Sequence, residues 1–149
     1  MLPTGLWLRR DGSFVHEGVV VSHARLQRAL LRGVRFAEEE GVFIVQLGRF
    51  RGQIEVEDIP FWVVAYDPDE GAIDLTDGSS EPLRTESLRI DPDEVFRVDV
   101  KEGRFQAHFT HTGQAHLLEH VEPRNGGWVL SVGGRWVPVP KVSSPGGRA

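Results

Sequence analysis

Four of the chain's six histidines, His108, His111, His116 and His120, fall within thirteen positions. His116 and His120 stand at i and i+4, which on a helix puts both imidazoles on one face. Two helical imidazoles plus a third ligand from His108 or His111 make a donor set for zinc, with Glu119 or Glu122 as an oxygen ligand. Leu117 follows His116 where a zinc-hydrolase helix carries glutamate, so the His-Glu-x-x-His pattern is not met. Scattered surface and capping histidines are the competing reading. A second constellation is acidic: Glu55, Glu57 and Asp58, with His16-Glu17 in an earlier segment. Paired carboxylates do general acid–base work when burial separates their pKa values. Left exposed, they are a solvated strand face, with Asp58 forming a turn ahead of Pro60. As a binding feature, the corner of Glu57, Asp58, Pro60 and Phe61 can pair with an arginine or accept donors from a polar ligand. Arg25, Arg28, Arg32 and Arg35 recur on one helix face, suited to a phosphorylated or acidic ligand. Paired locally with Glu38-Glu39-Glu40, the same face is simply solvated.

Composition limits the chemistry available. The chain has 149 residues and no cysteine, which removes disulfides, thiol catalysis and cysteine-ligated zinc. Its net charge of −5 argues against nucleic-acid binding, which leaves a strongly basic footprint. Only Lys101 and Lys141 are lysines; the other basic residues are arginines. No apolar stretch approaches the roughly 20 residues of a membrane span. The N-terminal Met-Leu-Pro-Thr-Gly-Leu-Trp lacks a basic start before an apolar core, so no signal peptide is expected, and the chain reads as cytoplasmic. No Walker loop, dinucleotide fingerprint or serine elbow is found.

The elements that position these residues are organised around 53–66. Ile54, Val56 and Ile59 alternate with acids, then Pro60 to Tyr66 runs apolar without a break. Alternation suits a strand with one wet face and the apolar run a strand covered on both; Pro60 marks the break between them. Before it, strands at 6–10 and 14–21 flank Asp11-Gly12-Ser13, a hairpin signal, with Gly18 as a bulge. Ser22 is placed to cap a helix whose apolar face is Leu26, Ala29, Leu30, Gly33, Val34 and Ala37. Three glutamates are unfavourable at a helix C-terminus, so the helix is expected to end near 35 with an acidic connector after it. Strands follow at 42–47, 72–75, 96–100, 104–109, 127–132 and 135–139. Thr110 caps a second helix over 111–121. Trp62, Trp128 and Trp136 sit in strands, as core or as the lining of a cleft between halves.

The second part reads as a shortened copy of the first. Asp11-Gly12-Ser13-Phe14 answers Glu102-Gly103-Arg104-Phe105, and Ser22-His23 answers Thr110-His111. Ala29-Leu30 answers Leu117-Leu118, Gly41-Val42-Phe43 answers Gly127-Trp128-Val129, and Gln53-Ile54-Glu55-Val56 answers Arg135-Trp136-Val137-Pro138. The expected organisation is an N-terminal half over 1–76, a connecting segment over 77–94, a C-terminal half over 95–140 and a flexible tail over 141–149.

Asp11-Gly12, Phe14, Gly18, the Leu- and Arg-rich helix and Val56-Glu57-Asp58-Ile59-Pro60-Phe61 together resemble the bacterial domain-of-unknown-function family 1285. Ser131-Val132-Gly133-Gly134-Arg135-Trp136 is similar to that family's C-terminal pattern, and the resemblance runs from residue 6 to 139. It implies a two-part fold, each part a helix wrapped by a bent antiparallel sheet, and a role in signalling or ligand binding. It carries over no catalytic residue.

The fold class expected is α+β, two similar halves each with a helix wrapped by a bent, mostly antiparallel sheet. The function expected is a non-enzymatic module binding a small molecule or a protein in signal transduction. Its site is the groove between halves, with Glu57, Asp58, Pro60, Phe61, Arg28 and Arg32 as ligand-binding residues. No cofactor, resident metal, nucleic acid or membrane is expected. The alternatives are a metal-assisted hydrolase using the cluster from His108 to His120, and an interaction domain lending a sheet edge or apolar face to a partner or a second copy.

Overall fold

In the computed structural model, which describes residues 2–140 and 142, the chain divides between Pro60 and Phe61 into two units. The strand break expected at Pro60 is there, since β6 (Phe50–Val56) ends before it and β7 (Trp62–Asp67) begins after it, and the units divide at this point rather than within 77–94. Two six-stranded sheets, one three-stranded sheet and two α-helices make up the described residues, an α+β architecture.

The first unit holds β1 (Pro3–Leu8), β2 (Phe14–His16), β3 (Val19–Val20), α1 (Ala24–Arg32), β4 (Val34–Ala37), β5 (Val42–Leu47) and β6. The sheet order is β3-β2-β1-β6-β5-β4, antiparallel except where β1 meets β6. Gly18 (φ +87°) turns the chain between β2 and β3 rather than bulging one long strand. His23, not Ser22, caps α1, its Nδ1 accepting the Leu26 N–H at 3.3 Å. The helix stops at Gly33, earlier than its apolar spacing suggested. Gly33 O accepts the Gln46 N–H at 2.8 Å, and a Cβ on Gly33 would sit 2.3 Å from Gln46 O. Val34 to Ala37 therefore leave as a strand paired with β5. Glu38 to Glu40 then lie in a hairpin turn, which removes the conflict with the helix dipole. Leu8, Phe14, Leu30, Val34, Ile44, Val45 and Ile54 form the buried core.

The second unit holds β7, β8 (Ala72–Leu75), β9 (Ser80–Pro82), a 3-10 turn (Thr85–Ser87), β10 (Arg89–Ile90), β11 (Phe96–Val100), β12 (Phe105–Phe109), α2 (His111–Leu118), β13 (Val121–Arg124), β14 (Gly127–Val132) and β15 (Arg135–Pro138). Its large sheet runs β10-β11-β12-β7-β8-β9, and β13 to β15 form the small one. Residues 61–76, expected in the N-terminal half, hydrogen-bond here instead, because β7 pairs parallel with β12 (His108↔Trp62, Phe109↔Val63). The expected connector 77–94 holds β9, the 3-10 turn and β10. Val63 O accepts both the Thr110 N–H (3.0 Å) and Thr110 Oγ1–H (3.2 Å), and Thr110 Oγ1 in turn accepts the Gly113 N–H at 3.0 Å to cap α2. A Cβ on Gly113 would lie 2.2 Å from Val63 O, so only glycine lets α2 sit this close to β7. Tyr66 Oη donates to Ser131 O at 2.8 Å, tying β7 to β14, and burial with Asp67 nearby pushes the phenol up to about 12. No helix among the described residues is long and apolar enough to cross a membrane. Of the expected tail 141–149, all but Val142 lies outside the described residues.

One set of backbone tethers occurs in both units. Gln27 Oε1 accepts the Phe14 N–H at 3.1 Å while its Nε2 donates to Gly12 O at 2.5 Å. Gln114 Oε1 accepts the Phe96 N–H at 3.0 Å while its Nε2 donates to Glu94 O at 3.1 Å. Beyond the helices, Val34↔Val45↔Gly52 matches Val121↔Leu130↔Val137, and Gly33 O with Gln46 N–H matches His120 O with Ser131 N–H. Phe14 thus answers Phe96 rather than Phe105, His23 answers Thr110, Leu30 answers Leu117, Phe43 answers Trp128 and Phe50 answers Arg135. The register differs from that of the matching turn residues because β11 and β12 form a longer hairpin than β2 and β3, and turn residues recur too freely to fix it. β7 to β9 lie between the two tethered sets with no counterpart in the first unit.

Urea denaturation should find Gln114→Ala less stable by about 1–3 kcal/mol, the loss of two backbone tethers. Gly113→Ala should cost about 1–3 kcal/mol by overpacking against Val63.

Candidate functional site

The hairpin between β11 and β12 turns through Lys101 (φ +55°), Glu102 (φ +59°) and Gly103 (φ +81°). The Gly103 N–H returns to Val100 O at 3.1 Å, so Lys101 and Glu102 occupy the two left-handed positions usually given to Asn-Gly. Each non-glycine residue there costs about 1–2 kcal/mol and persists only where its surroundings hold it. Lys101 is held at both ends. Its backbone N–H donates to Glu81 Oε1 and Oε2, each at 3.1 Å. Its ammonium donates to Asp77 Oδ2 at 2.6 Å and Ser79 Oγ at 2.9 Å, and stands 5.1 Å from the Phe61 ring centroid. Ser79 Oγ also donates to Asp77 Oδ1 at 2.6 Å. The large sheet curls until β9 and the segment after it face this hairpin; the Asp99 N–H donating to Ser87 Oγ at 3.0 Å stitches the same closure.

Burial pushes the Asp77 carboxyl up, but hydrogen bonds from Lys101 and from the Ser79 side chain and amide outweigh it, and the group ends below the usual carboxylate range. The lysine is therefore a donor fixed on Asp77 and Ser79, and Ser79 a hydroxyl already spent on a carboxylate. Neither is set up as a base or a nucleophile. Beside the hairpin lies an open cleft of about 390 Å³, lined by Glu81, Pro82, Leu83, Arg84, Glu86, Lys101 and Glu102. Among the described residues, the Arg84 guanidinium and the Glu86 and Glu102 carboxylates have no ion-pair partner. Glu81 is likewise without an ion pair but takes the Lys101 amide, so among the described residues the cleft offers one cation and two anions with no side-chain partner around the Pro82–Leu83 wall.

The residues named from the sequence lie in different places. Glu57 Oε1 accepts the Arg10 N–H at 2.6 Å and Asp58 stands 3.7 Å from Arg10 Nε, so both brace the turn after β1. Pro60 is buried; Arg28 and Arg32 are exposed on α1. Phe61 is buried in the second unit against Phe105 and under Lys101. Among the described residues no three His, Cys, Asp or Glu side chains come together to hold a metal. Helix α2 ends at Leu118, so His120 falls off it and the expected i, i+4 face is not formed. His120 packs by Tyr66, with ring centroids 6.1 Å apart, while His108 is buried on β12, 3.9 Å from Asp91. In the sequence, Asp77-Gly78-Ser79 and Lys101-Glu102-Gly103 carry turn residues and no motif that marks them as a site. One signal was available: one of only two lysines in an arginine-rich chain, at a site needing a compact ammonium with several donors.

No protein-family model matches the sequence, and no curated protein matches it. Among solved structures, the chain is similar to a DUF1285 family protein from Silicibacter pomeroyi DSS-3, with a TM-score of 0.56 and 18% identity over 91% of this chain and 79% of that one. A DUF1285 family protein from Shewanella baltica OS155 aligns with a TM-score of 0.49 and 10% identity, over 72% of this chain and 85% of that one. The chain has a DUF1285-like fold.

Because Asp77 titrates lower folded than unfolded, its stabilisation is present above the ordinary value of 3.8 and is lost as the pH falls below it. Asp91 acts in the same direction: burial raises its carboxyl, but the Val95 and Asp93 amides and Arg97 bring it lower. Acid melts should fall from about pH 5 downward. Asp77→Asn should lower the neutral-pH stability by about 1–3 kcal/mol and flatten that fall.

Proposed function

We propose that this protein is a non-enzymatic small-ligand-binding module, acting in signal transduction, with its site in the cleft beside Lys101. The observation that carries the reading is the cleft's division of labour. Lys101 is committed to Glu81 through its amide and to Asp77 and Ser79 through its ammonium, and gives a rigid rim. Arg84, Glu86 and Glu102 are left for a ligand. A guanidinium takes a carboxylate in paired hydrogen bonds, and carboxylates take an ammonium. Pro82 and Leu83 supply apolar contact between them. The ligand class that satisfies all three is a small zwitterion bearing an ammonium, a carboxylate and an apolar body. Strain held in the Lys101–Glu102 turn fits a site prepared before the ligand arrives.

Phe61 enters this reading as the ring under Lys101. Arg28 and Arg32, exposed on α1, make a second proposed surface that would take an acidic group, while Glu57 and Asp58 are engaged with Arg10 and Pro60 is buried. The two surfaces are separable by mutation, and the cleft has a bounded volume to hold a small molecule.

The test is an amide-resolved NMR titration with a panel of free amino acids, beside matched amines lacking the carboxylate and matched acids lacking the amine. Shifts concentrated at residues 81–86 and 101–102 for the zwitterions, weakened about tenfold by Arg84→Gln, are expected. Equal response to amines alone would remove the zwitterion assignment but keep the cleft. No perturbation of these amides by any probe would remove the cleft.

A further inference from the structure

Strands β1, β2 and β3 set Trp7, Val15 and Val20 side by side. Trp7 is opposite Val15, and Val15 is opposite Val20, so the three side chains share one sheet face. Leu8 and Phe14, one step along the same strands, are fully buried on the other face. Trp7 is 51% exposed and Val20 52%. Glu55 of β6, opposite Trp7, closes the strip on its far side.

The second unit supplies an internal control. The glutamine tethers align β10 and β11 with β1 and β2, so Trp7 answers Arg89 and Val15 answers Arg97; His108, opposite Arg97, stands where Val20 does. That strip is polar and tied down. Arg89 Nη1 lies 3.4 Å from Asp99 Oδ1, Arg97 Nε lies 3.1 Å from Asp91 Oδ2, and His108 Nε2 lies 3.9 Å from the same oxygen. The same ladder positions are thus internally paired in one unit and apolar and wet in the other. Exposed apolar surface of this kind marks an interaction site.

We propose that the Trp7–Val15–Val20 strip is covered by a second copy of this chain, strip against strip across a twofold axis. An apolar strip is complementary to itself, and the charges at its ends complete the match. Exposed Arg9 stands at one end and exposed Glu17 at the other, because β1 and β2 run antiparallel. A twofold axis running across the strands brings each Arg9 to the Glu17 of the other copy, an isologous pairing made twice. The strip is about three strands wide, roughly 10 Å, well under the area of an obligate dimer. The association is accordingly weak and concentration-dependent.

Sedimentation velocity of the full chain over a wide concentration range tests this. The mean mass is expected to climb from monomer toward dimer. Trp7→Arg, which copies the second unit, should hold it at monomer. Arg9→Glu should move the transition to higher concentration, and adding Glu17→Arg should move it back. If Trp7→Arg melts early by circular dichroism, Val20→Lys on the two-residue edge strand carries the test instead. A wild-type protein that stays monomeric at the highest concentration overturns the proposal and leaves the strip to a partner of another kind. Dimerisation of both Trp7→Arg and Val20→Lys at wild-type strength also overturns it.

Discussion

The carbonyl of Val63 is the contact on which the second unit depends. It accepts from both the amide and the hydroxyl of Thr110, and it lies where a side chain on Gly113 would otherwise be. One backbone oxygen therefore starts α2, fixes its distance from β7, and holds the end of β12 alongside. A buried carbonyl without those donors would cost about as much as a lost hydrogen bond. With β7 placed this way, Phe61 and Trp62 enter the core, and the hairpin after β11 reaches the ring of Phe61. The curl of the large sheet and the position of the cleft follow from that placement.

The Lys101–Glu102 turn is the local expense of that geometry. Two successive non-glycine residues with positive φ are unfavourable in isolation. They are retained because the left-handed backbone aims the Lys101 amide at Glu81 and its side chain at Asp77 and Ser79. Asn-Gly would relieve the turn and lose every one of the side-chain contacts. The arrangement is one of donors engaged with two carboxylates and a hydroxyl over an aromatic ring.

The tethers made by Gln27 and Gln114 hold two stretches of unlike sequence in the same hydrogen-bonding pattern. What the backbone keeps, the side chains vary. Gly113 stands where α1 carries Leu26, so a strand can approach α2 that could not approach α1 in the same way. Arginines stand where β1 and β2 carry tryptophan and valine. The two units thus share a frame and differ in what each surface can touch.

Much of the local structure was legible in the chain. Apolar runs, alternation and turn residues located β7, β11, β12, β14 and β15, Thr110 announced α2, and Pro60 announced a break between two strands, though not that the units divide there. These are short-range effects, set by the φ that glycine and proline allow and by the donors a helix start leaves open. α1 ran short of its apolar spacing because Gly33 meets Gln46, thirteen residues on, and no periodicity encodes a distant carbonyl. The two parallel contacts, β1 with β6 and β7 with β12, were likewise invisible, and with them the assignment of residues 61–76 to the second unit. The candidate site suffered most. Asp77-Gly78-Ser79 and Lys101-Glu102-Gly103 can be read as turns from their residues, because turn chemistry is local. That these turns meet cannot, because their meeting depends on how far a six-stranded sheet curls, a property of pairing order and packing that no single stretch of chain carries.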